Sequence, residues 1–256
     1  MKLFDLTGRV ALTTGSSKGM GLAMANALAD HGAKVVISSR KLDQCEKAAN
    51  DINERLGEER AIAIACNIGY KEQLQNLVDE TRKQLGPIDI LLCNAGINPF
   101  YGPSRDIPDE AFDKIMGSNV KSNHWLAHMV APDMIEKQRG SIMITSSTSA
   151  FSGSTTLGTY SISKTADLAL VRNLALEYGK KGIRANAICP GVIKTDFARA
   201  LWESEEAQKA LNARTPLGRI GEPEDLGGIA VFLGSDASSY ITGQAITVCG
   251  GNVMCR

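Results

Sequence analysis

A chain of 256 residues, 43% of them apolar, is long enough for one large α/β domain with a substantial buried core. With 28 Lys+Arg against 28 Asp+Glu and no basic block, it carries no electrostatic footprint for nucleic acid or an anionic membrane surface. No apolar run approaches the ~20 residues of a membrane span.

The first element is RVALTT (9–14), an apolar, β-branched run that reads as a strand; the MKLFDLTGRV leading into it breaks its apolar residues with Asp5 and Arg9, unlike a secretory signal. TGSSKGMG (14–21) follows and opens the helical pattern MGLAMANALADHG. Its glycines Gly15, Gly19 and Gly21 are spaced G-x3-G-x-G rather than G-x-G-x-x-G. The physics is the same: a tight turn, amides exposed at a helix N-terminus, and no Cβ to hold a pyrophosphate away. Ser17, Lys18 and Met20 share this turn.

KVVISS (34–39) is the second strand, where an NAD-binding chain usually carries an acid for the ribose hydroxyl. Here the strand ends on Ser39 and Arg40. Together with Lys18, two cations and no carboxylate suit a 2′-phosphate, and the expected cofactor is NADP, NADPH being preferred over NADH. The competing reading makes both cations solvated surface charges.

QCEKAANDINERLG is helical and stops at Gly57, and RAIAIA (60–65), IDILLC (88–93), SIMITS (141–146), IRANAI (183–188) and AITVC (245–249) supply the remaining strands. Most runs lack clean alternation, as parallel strands covered on both faces do. The βαβ rhythm predicts a single doubly wound, Rossmann-type α/β domain over 1–256, its seven-stranded parallel sheet flanked by helices on both faces. The one long interruption, 196–214, is helical in composition and is expected to form a substrate lid. His124 and His128 stand four apart in a helical segment, but no third ligand completes a metal site, so none is expected. Six scattered cysteines (Cys45, Cys66, Cys93, Cys189, Cys249 and Cys255) form no CxxC pair, which predicts a reduced, cytoplasmic protein.

SSTSAFSGSTTLGTYSISK (146–164) begins with serines just past the fifth strand and closes on Tyr160 and Lys164. Four residues apart on a helix, these two side chains project from one face. Ser146, Ser147 and Ser149 all lie where α/β ligand sites gather. Asn119, in GSNVKS, falls mid-helix, a poor place for asparagine by propensity.

With TGSSKGMG, NAG (94–96), Asn119, the serine cluster, Tyr160-x3-Lys164 and PGVIKT (190–195) in this order, the chain resembles the classical short-chain dehydrogenase/reductase family over nearly its whole length. The resemblance implies that Tyr160 is the acid that protonates a carbonyl oxygen and the base in the reverse direction. Lys164 would stabilise its phenolate and bind the nicotinamide ribose. Ser147 would orient the substrate oxygen, and Asn119 would distort its helix and hold a proton-relay water. Asn94, Ala95 and Gly96 would floor the cofactor cleft. Pro190, Gly191, Ile193 and Thr195 would hold the nicotinamide carboxamide, and Asn67 and Ile68 the adenine. Three positions depart from the family pattern: Cys93 for the first asparagine of NNAG, Asn67 for an acid, and Cys249 for the aspartate of DGG.

NPFYG (98–102) and VIKTDFARALW (192–202) look like the NADP-dependent retinol and carbonyl reductase branch. Phe100 and Trp202 would then contact a small carbonyl or alcohol substrate, with Phe197 and Leu201 beside them. The resemblance also implies a homotetramer. Rival readings are a 3-oxoacyl-ACP or -CoA reductase, which shares every catalytic residue, and a non-catalytic cofactor-binding regulator.

Overall fold

Each predicted β-branched run becomes a strand in the computed structural model, which describes residues 2–253; Cys255 lies outside them. β1 (Val10–Thr14), β2 (Lys34–Ser39), β3 (Ala61–Ala65), β4 (Ile90–Cys93), β5 (Gly140–Thr145), β6 (Ile183–Pro190) and β7 (Ala245–Val248) form one parallel sheet. Its order is β3-β2-β1-β4-β5-β6-β7. The chain steps outward from β1 to β3, then returns to the other side of β1 and runs outward again. The reversal leaves a crevice beyond the C-terminal ends of β1 and β4, where open α/β sheets bind ligands.

Two boundaries moved for visible reasons. β4 begins after Asp89, whose carboxylate accepts from Val10 N (2.9 Å) and from Lys137 Nζ (2.8 Å). β6 continues through Pro190 because Cys189 and Pro190 pair with Thr247 and Val248, and Gly191 N donates to Val248 O (3.0 Å). A proline at the end of a strand costs the ladder a single donor.

The helices are α1 (Gly19–Asp30), α2 (Leu42–Leu56), α3 (Lys71–Leu85), α4 (Asp109–Met116), α5 (Ser122–Glu136), α6 (Gly158–Tyr178), α7 (Arg199–Trp202), α8 (Glu205–Arg214) and α9 (Gly227–Gly234). Neighbours on a strand point to opposite faces. Leu12 and Val36 therefore join Leu77, Val130 and Leu174 in one core, while Ala11 and Val35 join Met24, Ile52 and Leu233 in another. Burial on both faces is why the strand sequences did not alternate.

Two irregular stretches border the crevice. A π-helical segment, Gly117–Lys121, joins α4 to α5, with Asn119 at its centre. The 196–214 stretch is helical as expected but broken into a 3-10 turn (Asp196–Ala198), α7 and α8, the last capped by Ser204 Oγ accepting from Ala207 N (3.1 Å).

Candidate active site

The first wall of the crevice is the glycine turn. Gly15 has φ +62°, a conformation L side chains avoid, and a Cβ there would lie 2.8 Å from Ala95 Cα. A Cβ at Gly21 would lie 2.5 Å from Asn94 Nδ2. Without side chains, these positions let the loops after β1 and β4 touch. Asn94 Nδ2 donates to Gly15 O (2.9 Å), and the N–H groups of Asn94 and Ala95 both donate to Thr14 Oγ1 (3.2 Å). The turn is also pinned to β2, since Ser16 Oγ accepts from Ser38 N (2.9 Å).

Gly19 starts α1 within 3.3 Å of Thr195 Cγ2, measured from where its Cβ would stand, so the loop after β6 closes the opposite side. In that loop, Pro190 ends β6, Gly191 lies against Cys249, and Ile193 is buried and bridges to Gly221. Met20 packs on the core, and Ser17 stays half-buried. Arg40 is exposed at the tip of β2, and Ser39 Oγ shares a hydrogen bond with Cys45 Sγ (3.1 Å). Lys18 does not stand free: its ammonium is 2.8 Å from Asp196 Oδ2 across the cleft mouth. Asn67 Oδ1 accepts from Gly69 N (3.1 Å), leaving one lone pair for a ligand, and Ile68 packs on the core beside it.

Among the described residues, Asn94 Oδ1 and Thr145 Oγ1 are buried without partners, and both belong to loops or strand ends that line this crevice. Glycines that a Cβ would fill and unpartnered polar atoms form a cradle that a nicotinamide dinucleotide fits.

Beyond the cradle, α6 carries Tyr160 and Lys164 on one side, with the Lys164 Nζ 5.8 Å from the Tyr160 ring centroid. Lys164 is buried and donates to Thr145 O (2.8 Å) and Asp167 Oδ2 (3.1 Å). Ser147, in extended conformation after β5, accepts from Ser149 N (3.1 Å), whereas Ser146 is buried and spends its hydroxyl on Lys164 O (2.7 Å). Ser149 Oγ is buried without a partner. Asn119 is fully buried; its Oδ1 accepts from Ile97 N (2.8 Å), and its Nδ2 donates to Ile97 O (3.0 Å) and Ser163 Oγ (3.1 Å). The Asn119 carbonyl accepts from Asn123 Nδ2 (2.6 Å). A Cβ at Gly96 would lie 3.5 Å from Asn119 Oδ1 and 3.6 Å from Lys164 Nζ, so the cradle and this cluster are continuous.

Phe197 is exposed, its ring 6.1 Å from that of Tyr160. Phe100 folds over Gly102 and shares a small cleft with Gly158 and Tyr160. Trp202 is half-buried, donates from Nε1 to Thr195 O (3.1 Å), and has Lys194 Nζ 5.8 Å from its ring centroid. Its indole is thus an anchor for α7. Asp167 and Asn123 were missed by sequence reading; the available signal was an acid three residues past Lys164 on a core-facing side of the helix. His128 Nδ1 shares a hydrogen bond with Tyr178 Oη (2.6 Å), and no cluster of three metal-ligating side chains occurs among the described residues.

A family described as Enoyl-(Acyl carrier protein) reductase matches residues 15–252. The chain is 42% identical over 249 residues to the Dehydrogenase/reductase SDR family member 4 of Bos taurus, covering 97% of this chain and 88% of that one. The chain belongs to the short-chain dehydrogenase/reductase family. Among solved structures, this short-chain dehydrogenase/reductase is similar to a gluconate 5-dehydrogenase from Burkholderia cenocepacia J2315 in complex with NADP and tartrate (TM-score 0.93, 32% identity, covering 98% and 97% of the two chains). It is also similar to a 7 alpha-hydroxysteroid dehydrogenase complexed with NADH and 7-oxo glycochenodeoxycholic acid (TM-score 0.90, 35% identity, covering 98% and 96%). Family membership makes this short-chain dehydrogenase/reductase an oxidoreductase of carbonyl and alcohol groups that uses a nicotinamide cofactor. Among the described residues, no helix is long and apolar enough to cross a membrane.

Proposed function

We propose that the protein is an NADP(H)-dependent reductase that interconverts a small carbonyl compound and its secondary alcohol, with NADPH preferred over NADH. The observation that supports this reading is that Asn119 and Lys164 lie against Gly96 in the glycine-lined cradle with the Tyr160 ring beside the lysine, while Ser147 follows directly on Ser146, which bonds Lys164 O.

Bound nicotinamide supplies the hydride in reduction and accepts it in the reverse direction. Ser147 donates a hydrogen bond from its hydroxyl to the substrate oxygen and orients it, keeping its own proton. Tyr160 delivers its phenolic proton to that oxygen as negative charge develops there. The Lys164 ammonium, held beside the ring by Thr145 O, stabilises the phenolate left behind. Asn119 clamps the Ile97 backbone and Ser163 through its side-chain amide and keeps the π-helical segment in register with α6. Gly15, Ser17, Gly19, Met20 and Gly21 offer the pyrophosphate their backbone, and Arg40 offers the 2′-phosphate a planar fork of donors. The 196–214 stretch acts as a lid that presents Phe197 over the substrate, opposite Phe100.

The test follows absorbance of NADPH and NADH against a panel of ketones, aldehydes and 3-oxoacyl thioesters. Reduction of simple carbonyls with the higher kcat/KM for NADPH supports the reading. Confinement to thioesters assigns a 3-oxoacyl reductase instead, and absence of turnover across the panel refutes it.

A further inference from the structure

α6 turns Leu168, Val171 and Leu174 into the core, and on the same buried side stands an acid. Asp167 is fully buried. Its Oδ2 accepts from Lys164 Nζ (3.1 Å) and its Oδ1 from Asn123 Nδ2 (3.0 Å). Asn123 reaches Asn119 O with the same amide nitrogen (2.6 Å), and Lys164 reaches Thr145 O (2.8 Å). One buried chain of hydrogen bonds thus runs from the π-helical carbonyl, through an amide and a carboxylate, to the ammonium beside Tyr160. Desolvating a carboxylate costs several kcal/mol, and packing α6 on the sheet does not require one.

The charge balance around Lys164 is simple. Facing it are Tyr160 and Asp167 from α6, Cys93 from β4 and Cys189 from β6, with the uncharged Asn119 and Asn123 behind Asp167. Burial pushes both thiols up, Cys189 to about 11, so neither is charged at neutral pH. Burial also works against the Lys164 ammonium, but the Asp167 carboxylate and Tyr160 outweigh it and hold the lysine above its ordinary range. Burial raises Asp167 as well, while contact with the Lys164 ammonium and the Asn123 amide works in the opposite direction.

We propose that Asp167 is the positioning residue for Lys164 and its counter-charge: it fixes the ammonium against Thr145 and weakens that ammonium's pull on the Tyr160 phenol. The carboxylate thereby helps set how far towards alkaline pH carbonyl reduction extends. This rests on the reading of Tyr160 as proton donor.

The test titrates tyrosinate by ultraviolet difference absorbance in cofactor-free protein, subtracting Tyr160→Phe to isolate Tyr160 among five tyrosines. Asp167→Asn keeps an acceptor for Lys164 but removes the charge. It should lower the Tyr160 midpoint by roughly one pH unit, and the alkaline limb of kcat for NADPH-dependent ketone reduction should move down with it. A midpoint that stays or rises overturns the proposal, as does a variant that only loses stability with its pH profile intact. If Asp167→Asn does not fold, Asn123→Ala removes a donor that helps hold the Asp167 carboxylate charged, so the midpoint should fall; an unmoved or raised midpoint overturns the proposal. Normal turnover by Tyr160→Phe would defeat the underlying assignment of the proton donor. An inactive Tyr160→Phe with an unmoved Asp167→Asn midpoint defeats the role of Asp167 alone.

Discussion

Tyr160 sits half-exposed at the start of α6 while Lys164, one turn on, is buried, so one side of the helix carries a phenol near the surface and an ammonium in the interior. Tyr160→Phe removes only an oxygen from that surface. It should keep the fold and bind cofactor normally but lose at least ~10²-fold in turnover, the scale of general acid–base catalysis; single-turnover kinetics check it. Arg40, exposed at the tip of β2, can be changed without disturbing the core. Arg40→Asp should lower NADPH affinity roughly ten- to a hundred-fold, the worth of one lost charge-assisted hydrogen bond, and should raise the relative use of NADH. Measuring kcat/KM for both cofactors in wild type and variant decides it, and an unchanged ratio assigns Arg40 to the solvated surface. The tyrosine, the lysine and the glycine turn were legible in sequence because their relation is local, fixed by one helical turn or one tight loop. The Asn123–Asp167 bond was not, because it joins residues 44 apart that meet only once α5 and α6 lie side by side.

At the scale of elements, the short α7 hangs on Trp202, whose indole N–H holds Thr195 O. Trp202→Phe keeps the ring but removes that bond, worth about 0.5–1.5 kcal/mol. The loop after β6 should then close less completely: KM for cofactor and carbonyl should rise a few-fold with kcat largely kept, as steady-state kinetics can read. A fall in kcat alone would mean that the indole touches the reacting atoms instead. The inner strands could be read from the chain because parallel strands buried on both faces are apolar throughout, and the edge strands β3 and β7 because their short β-branched runs follow helical segments. The break of 196–214 into three pieces could not, since Ser204 caps α8 in a stretch whose composition is helical on both sides. The π-helical segment was half legible. Asn119 was visibly misplaced for a regular helix, but the bonds that hold it reach Ile97 and Ser163 in other elements.

For the whole molecule, some large apolar side chains remain on the surface. Ile162 and Leu176 on α6 are 53% and 84% exposed, and Tyr240, ahead of β7, is fully exposed. Between the first two, the exposed Ala169 and half-buried Ala166 leave room for close helix approach. A homotetramer should therefore form, and light scattering at micromolar concentration should give four times the chain mass; a stable monomer would refute it. Leu176→Glu should shift the assembly towards smaller species. The ion pair between Lys18 and Asp196 joins loops 178 residues apart across the mouth of the crevice, and both partners are mostly solvent-exposed. Such an exposed pair contributes little to folding. It does change the ionic trade at the entrance. A phosphate that reaches Lys18 must first displace a carboxylate, so one anion leaves as another arrives and the net gain in charge contacts is smaller than the cofactor's own charge suggests. Cofactor affinity should accordingly be less sensitive to salt in the wild type than in Asp196→Asn, whose lysine meets the dinucleotide uncompensated.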